Sequence, residues 1–444
     1  MRNIHVLMLA YYFPPDSSSG AFRPLFFSKH LTEMGIKVTV LTADDRCFLP
    51  AQSKDLQLLG RVHPDVSVIR AGVRRPREAL IGLKKRLLKN HNLTANNHPP
   101  ISAFNANRHS LSSYQELKDT ITDLLAFPDQ HMGWIPGAIR KGKQFLAQSN
   151  ASILYATGSP WSALVAGVML KRSSQLPLVI DFRDPWVSNP DFQMKSRVSR
   201  FLEAYLERLV ISSADMLIST TQALQNDFLH RYPFLSKNRV QVIYNGFENY
   251  LENPRDANTS FTLTHAGSLY PPRRPHNLIY AIDELITEGR IPAEEIRLVL
   301  IGELETYDDE LAGLLKKPVL SGVVEVYPRL AYETSLAYQL KSDVLICIQT
   351  DFPLQIPRKL YEYLALQRPI LAITNKKGAT AEIIDENRLG TVVPDEIESI
   401  KKIVFDLYLK WKKWGTTTIS RESTQRFKNE KQSEILASLL LKLI

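Results

Sequence analysis

Two cysteines, Cys47 and Cys347, are all that the 444 residues contain. They are too far apart for a CxxC or zinc pattern. No disulfide framework is implied, and a reducing cytosol fits. No run approaches the roughly 18 apolar residues of a membrane span. The opening MRNIHVLMLAYYFPPD has a short apolar run but no small-residue cleavage site. It reads as a first buried strand, Ile4–Leu9, and not as a signal peptide, so the expected location is cytoplasmic. Also missing are GxGxxG, GxxxxGK[ST], HExxH and GxSxG, and no two aspartates stand two apart to make a DxD triplet. A simple Rossmann dehydrogenase, a P-loop enzyme, a zincin and a metal-dependent DxD transferase all lose support.

What is present is ordinary globular composition, 44% hydrophobic and 23% charged. Lys+Arg is 55 and Asp+Glu 46, a net +9, which favours an anionic partner. The basic residues are not interleaved with aromatics as in a nucleic-acid module, so nucleic acid is not the expected one.

Short apolar runs alternate with longer amphipathic stretches. Ile4–Leu9, Val38–Thr42, Val66–Arg70, Ile153–Ala156, Leu178–Ile180, Met216–Ser219 and Val240–Tyr244 read as strands, with helices such as Ala21–Met34 and Val198–Ser212 between them. After a polar stretch, Asn249–Ser260, the rhythm restarts with Phe261–Ala266, Ile296–Ile301, Val323–Tyr327, Val344–Ile348 and Ile370–Ile373. Strands this apolar are buried on both faces, and strand–helix alternation predicts two doubly wound α/β domains. The expected division is 1–248, 249–424 and a C-terminal helix, 425–444, packing back on the first domain. A basic insertion over about 74–131 interrupts the first domain. Its Ala79–Lys89 reads as a basic amphipathic helix suited to an anionic membrane surface, and Asn90–Ser110 as a polar loop.

Four segments carry chemistry. A flexible loop rich in small residues, Tyr11–Arg23, follows the first strand, and its Gly20 leaves room for a ligand beside a helix N-terminus. The second domain opens likewise with HAGSLYPPRRP, where Gly267 precedes Arg273 and Arg274, and guanidinium groups suit phosphate oxygens. In QIPRKLYEYLALQRPILA, Pro357 starts a helix carrying Lys359, Leu360 and Glu362. In VIDFRDPW a buried strand ends in Asp181, Arg183 and Asp184. For Asp181 a structural Asp–Arg pair is the preferred reading.

Taken in order, these segments resemble the family 4 glycosyltransferases, which have the GT-B fold: two Rossmann-like domains facing a central cleft. YYFPPDSSSGAFRP is similar to the family's opening glycine loop, VIYNGF to its V-I-x-N-G junction, HAGSLYPPRRP to its G-x-L-x-x-x-[KR] loop, and PRKLYEYLALQRPILA to its P-x-K-x-x-E-x-x-A helix–strand. ATGSPWSALVAG and DFRDPW resemble a subgroup that includes enzymes of surface-polysaccharide assembly.

The resemblance implies a retaining, metal-independent transfer of a sugar from a nucleotide sugar, a UDP-sugar, to a hydroxyl of a glycan or lipid-linked acceptor, with no cofactor. It implies donor contacts by Gly20, Gly267, Arg273, Arg274, Pro357, Lys359, Leu360 and Glu362, the last holding the ribose. Asp184, Arg183 and Arg273 are the catalytic candidates, and Ser159, Trp161, Asp129 and Trp134 are assigned to the acceptor side. In two places the chain departs from the family. Leu354 stands where the first glutamate of E-x7-E belongs, and Ser268 where a second basic residue belongs. The alternatives are a non-catalytic nucleotide-sugar-binding subunit and a GT-B UDP-sugar epimerase.

Overall fold

The most apolar stretches become strands enclosed on both faces: HVLMLA, ILYATG and VLICIQ are buried at every position. Such strands pair in parallel, because the helices that connect them cover the two faces of the sheet. A computed structural model describes residues 4–48, 54–74, 127–251, 259–304 and 307–444. The chain divides into two units, one made of Met1–Thr220, Gln225–Ile243 and Ser433–Ile444, the other of Thr221–Leu224 and Tyr244–Gln432. The helix Ala79–Lys89 and the loop Asn90–Ser110 lie outside the described residues.

From the N-terminus the described elements are β1 (His5–Ala10), α1 (Ser19–Glu33), β2 (Lys37–Ala43), β3 (Ser67–Ala71), α2 (Ile135–Leu146), β4 (Ile153–Gly158), α3 (Trp161–Ser174), β5 (Leu178–Phe182), α4 (Arg197–Ser213), β6 (Met216–Ser219), α5 (Gln222–Arg231) and β7 (Val240–Val242). There follow β8 (Phe261–Ala266), α6 (His276–Thr287), β9 (Ile296–Ile301), α7 (Asp309–Leu315), β10 (Val324–Tyr327), α8 (Tyr332–Leu340), β11 (Val344–Gln349), α9 (Arg358–Leu366), β12 (Ile370–Thr374), α10 (Ala379–Glu386), β13 (Gly390–Val393), α11 (Ile397–Trp414), α12 (Arg421–Thr424) and α13 (Asn429–Leu443). The expected alternation is present. The edge strand β13, GTVV, is not among the strands read from the sequence: it buries only its last residue and so leaves no apolar run to mark it.

The first sheet runs β3-β2-β1-β4-β5-β6-β7 and the second β10-β9-β8-β11-β12-β13. All pairings are parallel, with Val6 beside both Val38 and Ile153, and Leu345 beside Ile370. Both sheets are therefore doubly wound. Strand order reverses between β1 and β4 in one and between β8 and β11 in the other. Loops leaving the carboxyl ends of strands at such a reversal splay to opposite faces and leave a crevice, which is where ligands bind in open α/β sheets.

In the first unit Val6, Met8, Val38 and Tyr155 form a core joined by Leu436, Ala437, Leu439 and Leu440 of α13. In the second, Ile400, Val404 and Tyr408 of α11 pack against Ile279 and Ile282 of α6. The other face of the same sheet is covered by α9 through Leu360, Tyr361 and Leu364, which meet Leu345 and Cys347.

Candidate functional site

At the reversal in the second sheet, β8 ends in His265-Ala266 and turns at Gly267, whose φ of +131° lies in the region that favours glycine. Gly267 N–H donates to the Ile301 carbonyl at 2.7 Å, which anchors the turn to β9. A Cβ here would come within 2.5 Å of Lys359 Nζ, so glycine is required by the backbone and by the ammonium lying against it. Lys359 stands at the N-terminus of α9, which begins after Pro357. Tyr363 on the same helix ties the two central strands together. Its hydroxyl accepts from Ala266 N–H (3.1 Å) and donates to the Ile346 carbonyl (3.2 Å).

The electrostatics follow from this crowding. His265 is fully buried and has Nδ1 3.0 Å from the Ile346 carbonyl and Nε2 3.0 Å from Lys359 Nζ. Burial, and then the lysine, hold its imidazole well below its ordinary range, so it is neutral. Nδ1–H then donates to the carbonyl and Nε2 accepts from the ammonium. Lys359 itself is pushed down to about 8, by desolvation first and also by Arg273. Arg273 lies over the rings of Tyr270 (4.7 Å) and Phe352 (5.0 Å), and its Nε is buried without a hydrogen-bond partner. Gln349, the last residue of β11, is 1% exposed and has neither amide atom satisfied. Two cations that disfavour each other, with orphaned polar atoms at a strand reversal and a helix N-terminus, make a positive cluster whose complement is an anion.

Gln349 and His265 were not picked out as site residues from the sequence. The available sign was a polar residue closing an otherwise apolar strand. Glu362 is half-exposed on α9, one turn beyond Lys359, and accepts from Arg358 at 2.8 Å. Leu360 is fully buried, and its N–H donates to the Pro357 carbonyl (3.0 Å). Arg274 is exposed and paired with Asp308, whereas the adjacent Arg273 lies over Tyr270 and Phe352. Among the described residues, His276, Asp308 and Glu310 are the group near enough together to share a metal ion. The Asp308 carboxylate there is already held by Leu311 N–H, His276 and Arg274, which keep its pKa down at about 2.

The first sheet places its own glycine at its reversal. Gly20 is in the first turn of α1, and a Cβ there would meet Tyr12 Cδ2 at 2.6 Å and Arg183 Nη1 at 2.8 Å. Arg183, just past β5, donates to the Ser159 carbonyl, and its Nε is buried and unsatisfied. Ser18 stands at the N-cap of α1 but makes no cap hydrogen bond, and its Oγ is buried without a partner. Ser159 Oγ donates to Asp184 (3.3 Å). Trp161 stacks on the buried Trp186 at 4.7 Å with the ring planes 4° apart. Gly20, Arg183, Asp184 and Ser159 are thus brought together.

Asp129 and Trp134 are differently employed. The Asp129 carboxylate accepts from Ser162 N–H (2.7 Å), Ser162 Oγ (2.8 Å) and His131 N–H (2.8 Å), which holds the start of α3. Trp134 is fully enclosed, with Tyr11 edge-on at 5.6 Å, and offers no face to an acceptor. Asp181 is in a structural pair as expected, but its partner is Arg23 of α1 and not the neighbouring Arg183: the two are bidentate at 2.9 Å. Asp181 also accepts from Tyr155 (2.7 Å) and Thr157 (2.8 Å).

Comparison with known proteins agrees with this architecture. Residues 91–249 match the family model Glycosyltransferase Family 4. A search of curated sequences finds no match. Among solved structures, a glycosyltransferase from Rickettsia africae superposes with a TM-score of 0.60 at 11% identity, covering 100% of this chain and 99% of its own. The lipopolysaccharide outer core galactosyltransferase WaaB gives 0.59 at 10% identity over 99% and 100%. A putative UDP-N-acetylglucosamine 2-epimerase from Listeria monocytogenes gives 0.53 at 14% over 98% and 96%. At such identities the structural likenesses establish the fold, GT-B.

Proposed function

We propose that this chain, whose residues 91–249 match the Glycosyltransferase Family 4 model, is a retaining, metal-independent glycosyltransferase. It moves a sugar from a UDP-sugar to a hydroxyl of a glycan acceptor, one carried on a lipid in the fullest form of the reading. The observation that carries the reading is the closeness of Arg273 to Lys359 beside Gly267, two cations at the reversal of the second sheet whose charges oppose each other.

As the glycosidic bond breaks, the departing diphosphate gains negative charge. Arg273, the Lys359 ammonium and the N-terminal amides of α9 stabilise that charge where it develops. The carboxylate of Glu362 takes the ribose hydroxyls, leaving Arg358 as their rival for one oxygen. Retention follows from attack on the face the diphosphate leaves, with a phosphate oxygen taking the acceptor's proton. No side-chain base is needed for that. In the first unit Arg183 and Asp184 orient the acceptor, and the Trp161–Trp186 stack offers a flat apolar surface for a sugar ring.

Leu354 supports a second reading, a nucleotide-sugar-binding subunit without transfer activity, because the side chain expected to meet the donor sugar is a carboxylate and this one is not. The epimerase reading has fold likeness behind it and no assigned pair of acid–base groups. A thermal-shift screen tests the donor assignment. UDP-sugars and UDP should raise the melting temperature, because a ligand bound only by the folded state stabilises it. If no nucleoside diphosphate does so, the reading fails. Incubation of a stabilising UDP-sugar with glycan acceptors then separates transfer from binding alone and from epimerisation of the free donor.

A further inference from the structure

Helix α4 is built inside out. Its sequence, RVSRFLEAYLERLVISS, has aromatic and acidic residues at helical spacing, and the ordinary outcome would bury Phe201 and Tyr205 and expose Glu203 and Glu207. The reverse is found. Glu203 and Glu207 are buried, while Phe201 is 72% exposed and Tyr205 62%.

The inward carboxylates are satisfied by partners on neighbouring segments. Glu203 accepts from Trp186 Nε1 (2.9 Å) and Lys195 Nζ (2.5 Å), and Glu207 from Arg231 through Nη2 (3.0 Å) and Nη1 (3.2 Å). This network fixes which face of α4 looks outward.

The outward face then has a definite chemistry. Met194, just before the helix, and Val198, Phe201 and Tyr205 on it form an apolar stripe at spacings of three and four residues. Arg197 and Arg208, three turns apart and both exposed, border it along one side, with Arg200 half-buried beyond them. Arg208 also lies over the exposed Phe234 ring, at 5.4 Å. Both acids of the helix point inward, so no carboxylate of α4 interrupts the stripe. Apolar and aromatic side chains framed by arginines are the composition of a helix that lies in the plane of an anionic interface, where the rings enter the headgroup boundary and the guanidinium groups meet phosphate.

We propose that the outer face of α4 docks the first unit on an anionic lipid bilayer. A second copy of the chain is a poorer occupant, since a two-fold contact through this face would set the same arginines against each other. The inference does not rest on the transferase reading, because binding to lipid is read without donor or acceptor. It also names a different element from Ala79–Lys89.

The test is co-sedimentation of the full chain with phosphatidylcholine vesicles, with and without phosphatidylglycerol, over a range of salt. The wild type should pellet with the anionic vesicles and be released by salt. F201S/Y205S should lower partitioning about tenfold or more, with an unchanged melting temperature because both side chains are exposed. R197Q/R208Q should lower it less and flatten its salt dependence. The proposal is overturned if the wild type stays in the supernatant at low salt, or if F201S/Y205S pellets as well as the wild type. It is equally overturned if the wild type forms a dimer in sedimentation velocity that F201S/Y205S abolishes, which would assign the face to a second copy.

Discussion

The glycine loops after β1 and after β8 occupy the same place in their sheets, yet they handle charge in opposite ways. In the first unit Arg23 is buried and fully answered: Asp181 takes it bidentately and Ile243 accepts a third bond. In the second, Arg273 and Lys359 face each other's field, the half-exposed Glu362 offsets it only in part, and desolvation and Arg273 bring the lysine's pKa down to about 8. Buried charges that serve the fold are paired, since an unpaired one would cost several kcal/mol. Charges left to repel one another are tolerated where a ligand is to answer them. The same strand reversal thus holds a structural ion pair in one unit and, in the other, two neighbouring cations that we propose receive an anion.

Removing one partner from each arrangement should break the comparison most sharply. Asp181→Ala leaves Arg23 buried without its counter-charge and should cost about 3–5 kcal/mol in denaturant unfolding. A loss below about 1 kcal/mol would mean the pair is not structural.

Arg273→Ala should have the opposite profile. Stability should hold or rise slightly, because a like charge leaves Lys359. Affinity for UDP, measured by calorimetry, should fall by about 2 kcal/mol, or roughly thirtyfold, the worth of a charge-assisted hydrogen bond to phosphate. Unchanged affinity would remove Arg273 from the donor site.

The smallest effect is in pH. Lys359 is protonated below about 8 and loses its charge above it. A bound diphosphate raises that pKa, so binding takes up a proton, and UDP affinity should fall as pH rises through 8, by at most tenfold per unit. Without ligand the sign is reversed. The unfolded lysine keeps its proton to about 10.4, so between about 8 and 10.4 the unfolded state binds more protons and stability rises with pH. Lys359→Gln should abolish both slopes. If the affinity slope persists in that variant, another group titrates.

Much of the fold was legible because doubly buried strands leave apolar runs that little else explains. The two glycine loops and the start of α9 after Pro357 were legible because strand ends and helix starts are places where local sequence dictates geometry. The pairing of Arg23 with Asp181 was foreseen in kind but not in partner. Gln349 was missed because nothing local says that a glutamine ending an apolar strand will be enclosed without a hydrogen bond. The burial of Trp134 is not legible in the sequence, because an aromatic beside polar residues reads as a cleft lining until the packing around Tyr11 is known.

The sequence alone settled the strand–helix rhythm, the parallel sheets and the glycine turns, because these depend on hydrophobic period and backbone freedom within a few residues. Tertiary structure decided which charges are answered and which face of a helix looks out. Phe201 and Glu203 differ by less than one turn of α4. Trp186, Lys195 and Arg231, brought from other segments, draw the carboxylates inward and turn the aromatic rings to solvent. Long-range partners outweigh local periodicity there because a buried carboxylate without them would not be tolerated.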